Sequence, residues 1–394
     1  MKTPSLLRSA LLVSSICALS SNSVWADWTE QAQLSPNDNA PGNAFGQSVA
    51  VQNNLAVIGC PSENDGTGAA YVFARSAGVW KQQAKLVASD AETGSSFGIS
   101  VALSDSTVLV GSYGWGGNGT FTGAAYVFVW NGSAWKQQSE FNGHPATGFG
   151  VSVALSGDTA LVGAWGIGDT TQQAGAAYVY SRNGTTWSEQ ATLTPSNSSA
   201  YDQFGSKVAL SGGTALIGAP GSGSAYVFSL SGTSWPQQAI LNAPGDSTST
   251  EFGYAIALQE DTALVGAYYT ESRGQLLGAV YAFSRTGTTW TLSAGFEFPS
   301  NSPIYACGQS LALSGNIAVT GCNSETDADG VYVFERSGSS WTLKAVLIPP
   351  NGGAYDFFGV TGVALSGTTA IIGEPWFDPT ATPGAAYVFI AGGA

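Results

Sequence analysis

The residue types that carry out most enzyme chemistry are scarce in this sequence. Its 394 residues include one histidine, His144, and four cysteines that form no cluster. These residues cannot complete a transition-metal site or pair a nucleophile with a histidine base. The 26 acidic residues offer paired carboxylates, which are the catalytic groups of glycoside hydrolases. We therefore expect a binding protein rather than an enzyme, with a carboxylate-dependent glycoside hydrolase as a distant alternative.

Seven aromatic residues outside the repeated segments are candidate ligand contacts. Aromatic rings stack on sugar rings and anchor protein partners. The alternative is that these side chains plug a central channel or pack between repeat units, and the sequence leaves both interpretations open. The candidates are Tyr113, Trp115, Trp165, Tyr268, Tyr269, Trp376 and Phe377.

Two cysteines are placed to form a disulfide. If Ser314-Gly315 forms a two-residue turn, the strands on either side bring Cys307 opposite Cys322, within the distance that a disulfide needs. Export of the chain would permit oxidation. Two buried thiols are the alternative, and Cys60 is expected to be a small buried residue.

The N-terminal segment predicts export. Lys2 and Arg8 precede an apolar stretch, and Val24-Trp25-Ala26 suits cleavage by signal peptidase. We place a signal peptide at residues 1–26 and the folded domain at residues 27–394, in a secreted, periplasmic or cell-surface protein. A membrane anchor is the alternative, but the apolar run is shorter than the roughly 20 residues that a bilayer requires.

The charge of the chain excludes one class of partner. A formal net charge of −14 leaves no cluster of Lys and Arg with which to neutralise phosphates, so nucleic acid is not expected. An acidic surface suits cations, basic partners or simple solubility. We expect a monomer with no membrane span and a protein or carbohydrate ligand.

One sequence unit recurs along the whole chain. Its Phe-Gly start is found seven times at intervals of 48 to 55 residues, with Cys replacing Phe once. A unit of this length cannot bury its own faces, so neighbouring units must stack. The starts are Phe45, Phe97, Phe149, Phe204, Phe252, Cys307 and Phe358.

Each unit contains four short β segments. Large and small residues alternate in the first, Val153-Ala154-Leu155, and the second, 159–163, follows after a hairpin-length turn. The third covers 177–180 and the fourth 187–193, which together make one four-stranded propeller blade. A tryptophan begins the fourth segment of six units and is expected to pack in the core or at the blade edge; these are Trp80, Trp135, Trp187, Trp235, Trp290 and Trp341.

The two ends of the chain complete each other. The last unit stops after 387–390 without a fourth segment, whereas 28–34 has the sequence of that missing segment. Pairing the two would close the ring and remove exposed sheet edges. The sequence therefore predicts an all-β fold: a seven-bladed β-propeller of four-stranded antiparallel blades, closed by the N-terminal strand.

The repeated unit resembles a known family. Phe149-Gly150 followed by Val162-Gly163-Ala164, and Phe204-Gly205 followed by Gly218-Ala219-Pro220, look like the FG-GAP repeats of the integrin α-subunit head propeller and of many bacterial exported proteins. The resemblance covers nearly all of residues 27–394. It implies adhesion or ligand binding.

The calcium sites of that family do not carry over. Integrin-type repeats place DxDxDG loops between the Phe-Gly strand and the next strand, but here that connection is as short as 156–159, too short to surround an ion with six or more oxygens. The nearest similar segment contains Glu325, Asp327 and Asp329, after the second strand of its unit. We expect no cofactor, with calcium at these three residues as the alternative to a solvated polar loop.

The variable connections predict the binding face. Connections between strands two and three share one face with those that lead to the next blade, and they differ in length and content, as binding loops on a rigid scaffold do. Sixteen acidic residues fall there, opposed only by Arg273, whereas basic residues such as Arg182 cluster at the opposite face. We expect this acidic face to bind a protein partner, with a lectin-like carbohydrate binder as the alternative. The acids are Asp38, Glu63, Asp65, Asp90, Glu92, Asp169, Asp202, Asp246, Glu251, Glu271, Glu325, Asp327, Asp329, Asp356, Glu374 and Asp378.

Overall fold

The described residues of the computed structural model form seven antiparallel sheets arranged as propeller blades. The structure describes residues 28–38, 40, 42–114, 123–142, 148–166, 174–245, 250–270, 277–299, 304–324, 329–350, 357–375 and 383–392. The predicted signal peptide therefore lies outside the described residues. Within them, no helix is both long and apolar enough to cross a membrane.

The strands follow one another blade by blade. Blade one contains β2 (Ser48–Gln52), β3 (Leu55–Cys60), β4 (Ala69–Ser76) and β5 (Val79–Leu86), with a short helix, α1 (Glu63–Gly66), between β3 and β4; blade two contains β6 (Ser100–Ser104), β7 (Thr107–Ser112), β8 (Ala124–Trp130) and β9 (Trp135–Phe141); blade three contains β10 (Phe149–Ser156), β11 (Thr159–Ala164), β12 (Ala176–Asn183) and β13 (Thr186–Leu193). Blade four contains β14 (Lys207–Ser211), β15 (Thr214–Ala219), β16 (Ser224–Ser229) and β17 (Gln237–Asn242); blade five contains β18 (Phe252–Gln259), β19 (Thr262–Ala267), β20 (Ala279–Thr286) and β21 (Thr289–Gly295). Blade six contains β22 (Ile304–Tyr305), β23 (Leu311–Ser314), β24 (Ile317–Ser324), β25 (Gly330–Ser337) and β26 (Ser340–Leu347); blade seven contains β27 (Val363–Ser366), β28 (Thr369–Glu374), β29 (Ala385–Ala391) and β1 (Trp28–Leu34).

The N-terminal strand closes the ring, which confirms the predicted fold. β1 pairs antiparallel with β29, with Thr29 opposite Ile390 and Leu34 opposite Ala386. Blade six differs slightly from the prediction, because the two-residue strand β22 also pairs with β24. Blade seven is therefore assembled from both ends of the described chain.

The Phe-Gly glycine of each blade packs against a glycine in the second strand of the preceding blade. The Phe-Gly glycines have φ between +71° and +102°, which turns their carbonyl oxygens toward the neighbouring blade. A Cβ atom added to Gly163 would lie 2.0 Å from the carbonyl oxygen of Gly205. The same contact joins all seven pairs of neighbouring blades, and the second-strand glycines are Gly59, Gly111, Gly163, Gly218, Gly266, Gly321 and Gly373.

Two sets of side-chain hydrogen bonds also join the blades. Each Trp Nε1–H of the first set donates to a glutamine Oε1 in the outer strand of the preceding blade; the pairs are Trp80–Gln31, Trp135–Gln83, Trp187–Gln138, Trp235–Gln190 and Trp290–Gln238. In the second set, a backbone N–H at the start of the turn between a blade's first and second strands is the donor. It donates to the side-chain oxygen of a Ser or Gln at the end of the preceding blade's inner strand. That set joins every neighbouring pair, including Asn53 of blade one to Ser366 of blade seven.

The core lies between adjacent blades. In every blade except blade six, the Phe-Gly phenylalanine is fully buried and meets aromatic residues of its own blade's third strand edge-on or tilted. Phe204, for example, lies 5.4 Å from the ring of Tyr226 and 6.1 Å from that of Phe228. Blade six lacks this phenylalanine because Cys307 takes its place. Edge-to-face pairs of this kind add about 0.5–1.5 kcal/mol beyond the buried area.

Cys307 and Cys322 form a disulfide in blade six. The turn predicted for this hairpin is wrong by one residue, because Ser314 pairs with Ile317 and the turn is Gly315-Asn316. That register alone would not bring the two cysteines opposite each other. The irregular backbone around Gly308, where φ is +91°, changes the register, so that Cys307 lies beside Cys322. Cys60 is a buried free thiol, and burial raises its pKa well above the ordinary value.

Removing the disulfide is expected to cost stability without changing the fold. The two cysteines are separated by 15 residues, and a loop of that length is worth about 3 kcal/mol in the chain-entropy account. The Cys307→Ala/Cys322→Ala variant should therefore lose up to about 3 kcal/mol in urea unfolding. A reducing agent should lower the wild-type value equally and leave the variant unchanged. Equal stability of wild type and variant would contradict the prediction.

Candidate functional site

A channel runs along the axis of the ring and opens at the variable-loop face. At this face, the start of a blade's third strand meets the start of the next blade's inner strand through a parallel bridge. Gly175 bridges Phe204 in this way, and Gly278 bridges Cys307. The connections between strands two and three therefore share this face with the connections between blades, as predicted. We call this end of the channel the mouth.

The channel contains a cavity of about 440 Å³. The inner strands contribute polar and apolar side chains to its wall, at and just after each Phe-Gly pair. The polar lining residues are Gln47, Ser48, Ser100, Lys207, Gln309, Ser310 and Thr361; the others are Val49, Ile99, Val101, Tyr113, Val151, Trp165, Tyr254, Ala255, Ile256, Leu311, Gly362 and Val363.

Two of the aromatic candidates line this channel. Tyr113 and Trp165 follow the second strands of blades two and three, and their rings meet edge-on at 6.5 Å. Both are half-buried, and Trp165 packs closely against Gly148. The residues therefore join the channel wall, which agrees with one interpretation of the sequence, yet each keeps an exposed part for a ligand.

A second aromatic group lies on blade five. Tyr254 lines the channel, Tyr268 packs on it at 4.4 Å, and Tyr269 packs on Tyr268 at 4.7 Å. Tyr269 is 50% exposed. Burial raises the pKa of Tyr254 and Tyr268, and it also raises the pKa of the neighbouring Glu251. The group forms a continuous aromatic path from the channel to the surface.

Three aromatic candidates and two of the calcium candidates lie outside the described residues. They are Trp115, Trp376, Phe377, Glu325 and Asp327.

Asp329, the third calcium candidate, is buried. Its Oδ1 accepts the backbone N–H of Ser324 at 2.8 Å, and its Oδ2 accepts that of Phe357 at 2.9 Å. Through Asp329, these bonds link the end of β24 to the start of blade seven. The calcium site stays a prediction.

The channel also contains a lysine that the sequence analysis missed. Lys207 is in the wall, and its ammonium group has no hydrogen bond or ion pair with any described residue. Burial lowers the pKa of its ammonium group. The signal was present in the aligned repeats, because Ser48, Ser100 and Ser152 occupy the position that Lys207 takes in blade four.

Two more lining residues each have a buried polar atom without a hydrogen-bond partner among the described residues. These atoms are Gln47 Oε1 and Thr361 Oγ1. Gln309, in contrast, donates its Nε2 to the carbonyl of Ala306 and to Asn323 Oδ1, both at 3.1 Å. The wall therefore combines one cation, a hydroxyl and an amide with aromatic surface.

Several acids of the predicted acidic face form hydrogen bonds with neighbouring residues of the fold. Asp202 is buried and accepts the amide of Ser199 at 2.7 Å, and Glu374 accepts the hydroxyl of Tyr387 at 2.9 Å. A second cavity, of about 440 Å³, is lined by Asp90, Glu92 and Glu140. The described part of the face is thus acidic, but a share of its carboxylates serves folding.

The prediction that only Arg273 opposes these acids is wrong. Lys85 Nζ forms ion pairs with Glu63 and, at 2.6 Å, with Asp38. The Tyr71 hydroxyl lies 2.6 Å from Glu63 Oε2 and 3.0 Å from Asp38 Oδ1. Burial alone would raise the pKa of Asp38, but its hydrogen bonds to Lys85 and Tyr71 lower it. The sequence could not show this cluster, because its members come from four separate segments.

Replacing Lys85 with Met is expected to destabilise blade one. Glu63 is 4% exposed and would lose the cation of its ion pair. Removing one partner of a buried ion pair costs up to about 5 kcal/mol, and the partial exposure of Lys85 reduces this to about 1–3 kcal/mol. Urea unfolding at pH 7 measures the effect, with the exposed Lys136→Met as the control. Equal midpoints for the two variants would show that the cluster contributes little.

The family comparison agrees with the repeats. The family model described as FG-GAP repeat matches residues 28–73, 80–128, 142–180, 187–228, 235–283 and 341–389. The stretch between the last two matches contains Cys307 in place of the Phe-Gly phenylalanine. No curated protein matched the sequence.

Solved structures share the fold at low sequence identity. A putative 6-phosphogluconolactonase from Bacteroides uniformis has a TM-score of 0.54 and 12% identity, with 77% of this chain and 85% of that chain covered. A chain of a mitotic checkpoint complex has a TM-score of 0.58 and 13% identity, with 99% of both chains covered. The periplasmic gluconolactonase PpgL of Pseudomonas aeruginosa has a TM-score of 0.53 and 14% identity, with 86% and 99% covered. At these identities the likeness concerns the fold alone.

Proposed function

The chain belongs to the FG-GAP repeat family, and from that premise we propose that it is an exported binding module for a protein partner. The partner binds at the mouth of the channel, on the face formed by the variable connections. The module works as a monomer in a secreted, periplasmic or cell-surface setting and carries out no catalysis.

The aromatic path at the mouth is the observation that supports this proposal most. Tyr and Trp dominate the energetics of protein interfaces because they bury large surfaces and lose little conformational freedom. Tyr269 is half-exposed at the end of a packed row of rings, and Tyr201 on the same face is 67% exposed. Packing against Tyr254 and Tyr268 holds the row in place before a partner arrives, which lowers the entropic cost of binding.

Two alternatives use the same face. The edge-on pair of Tyr113 and Trp165 suits a sugar ring, as in a lectin. The acids of the second cavity suit a glycoside hydrolase, which needs two carboxylates beside the scissile bond. Two of the structural neighbours are named as lactonases, but at 12–14% identity their likeness to this chain concerns the fold alone.

Photo-crosslinking from defined positions tests the proposed face. A photoreactive amino acid replaces Tyr269 at the mouth or Leu292 on the outer strand β21, which is 45% exposed and serves as the matched control. The proteins are expressed in the source cells, irradiated and analysed by mass spectrometry. We expect one protein to be captured from position 269 and not from position 292, with capture reduced at least tenfold by Trp165→Ala.

The other outcomes each favour a different function. Equal capture from both positions would contradict binding at the mouth. Saturable binding on a glycan array, lost in Trp165→Ala, would favour the lectin, and turnover of an oligosaccharide that is lost in Glu92→Gln or Glu140→Gln would favour the hydrolase.

A further inference from the structure

We propose that the central channel holds a site for the carboxylate of a small organic acid, with Lys207 as its cation. The rest of the described wall is neutral, with polar side chains that include Gln309, Ser310 and Ser100. This site goes beyond the proposed protein partner, because it lies inside the ring, although Trp165 and Tyr254 belong both to its wall and to the aromatic surface at the mouth.

The charge balance of the channel supports the proposal. The chain is acidic overall, yet the described residues that line this cavity include no Asp or Glu, and Lys207 is their one cation. Lys207 is partly exposed in the wall, and an anion bound beside its ammonium group would balance a charge that no described residue balances. The lysine therefore has an electrostatic reason to bind an anion and no described partner that already serves this purpose.

The repeats show that folding does not require the lysine. At the equivalent position, Ser48 donates its hydroxyl to the carbonyl of Gly98 in the next blade, and Ser100 does the same to Gly150, both at 2.8 Å. These hydrogen bonds stabilise the contact between blades. Lys207 departs from this arrangement and places a charge in the channel instead.

The composition of the wall indicates the type of anion. A single ammonium balances one negative charge, so a carboxylate fits better than a doubly charged phosphate. The neutral polar side chains that line the same cavity can form hydrogen bonds with hydroxyl groups of the ligand. The volume of about 440 Å³ lies within the usual range of about 300–1,000 Å³ for small-ligand sites.

Calorimetric titration with matched probes tests the site. The probes are acetate and glucuronate, their neutral counterparts acetamide and glucose, and a short peptide with either a free or an amidated C-terminus. A free small acid and the carboxylate of a peptide are thereby distinguished. The variants are Lys207→Ser, which introduces the residue that other blades carry here, and Lys207→Arg, which keeps the charge; Lys136→Ser on the outer strand β9 is the charge-matched control.

The expected result is one-to-one binding of at least one small acid, at least tenfold tighter than its neutral counterpart. Lys207→Ser should weaken that binding at least tenfold, whereas Lys207→Arg and Lys136→Ser should retain it. Circular dichroism checks folding, and Lys207→Met replaces the serine variant if that variant does not fold. Absence of binding by every small acid, binding of the peptide carboxylate alone, or unchanged binding in Lys207→Ser would each overturn the proposal.

Discussion

Deleting residues 1–34 is expected to abolish the stable ring, whereas deleting residues 1–26 is expected to leave it intact. The longer deletion removes β1, whose six paired residues complete blade seven. It also removes Leu34, which is 3% exposed, and the Gln31 side chain that accepts the Trp80 N–H at 3.1 Å. The remaining strand β29 becomes an exposed edge that can pair with other chains.

The size of this effect follows from the parts that are lost. A buried leucine is worth about 2–5 kcal/mol, and each backbone hydrogen bond adds about 1 kcal/mol. The sum exceeds about 5 kcal/mol, which is comparable to the whole stability of a marginal domain. Near-ultraviolet circular dichroism and urea unfolding measure it. A cooperative transition of the longer deletion at the same midpoint as the shorter one would contradict closure by β1.

Gly163→Ala is expected to destabilise the protein strongly. The new Cβ would lie 2.0 Å from the Gly205 carbonyl oxygen, a backbone atom of the next blade. Since a backbone atom cannot rotate away, blades three and four must separate. Overpacking costs about 1–3 kcal/mol when side chains can move, so we expect at least about 3 kcal/mol here.

Gly295→Ala is the matched control for this variant. Gly295 ends an outer strand, has no positive φ in the left-handed range, and an added Cβ would meet its nearest neighbour, a carbon of Tyr281, only at 4.0 Å. Its stability should change by less than about 1 kcal/mol. Similar losses for both variants in urea unfolding would show that the contact between Phe-Gly and second-strand glycines is not special.

The architecture could be predicted because the same sequence unit recurs in each of the seven blades. Seven Phe-Gly starts and a split last unit fixed the number of blades and their closure, and the tryptophan pattern indicated packing at blade edges. What the sequence could not show is why these short sequences recur. The structure supplies the reason: the Phe-Gly carbonyl of one blade packs on a second-strand glycine of the preceding blade.

The candidate site could be predicted only in part. Tyr113 and Trp165 were identified from their place in variable connections, and the structure puts both in the channel wall. Lys207 was missed because a single lysine in a strand segment looks like a surface residue. Its place in the channel wall becomes evident only when the inner strands are arranged around one axis. Lys85 was missed because its ion pairs join segments that are distant in sequence. Both depend on how blades meet, which composition does not reveal.

Disulfide trapping across the closing pair of strands tests the central claim, that the two ends of the described chain form one blade. Thr29 lies opposite Ile390 in the register of β1 and β29. The Thr29→Cys/Ile390→Cys variant should form an intramolecular disulfide under mild oxidation and unfold at a higher urea concentration than either single variant. Failure to form that bond, or formation of dimers linked between chains, would contradict a ring closed by its own N-terminal strand.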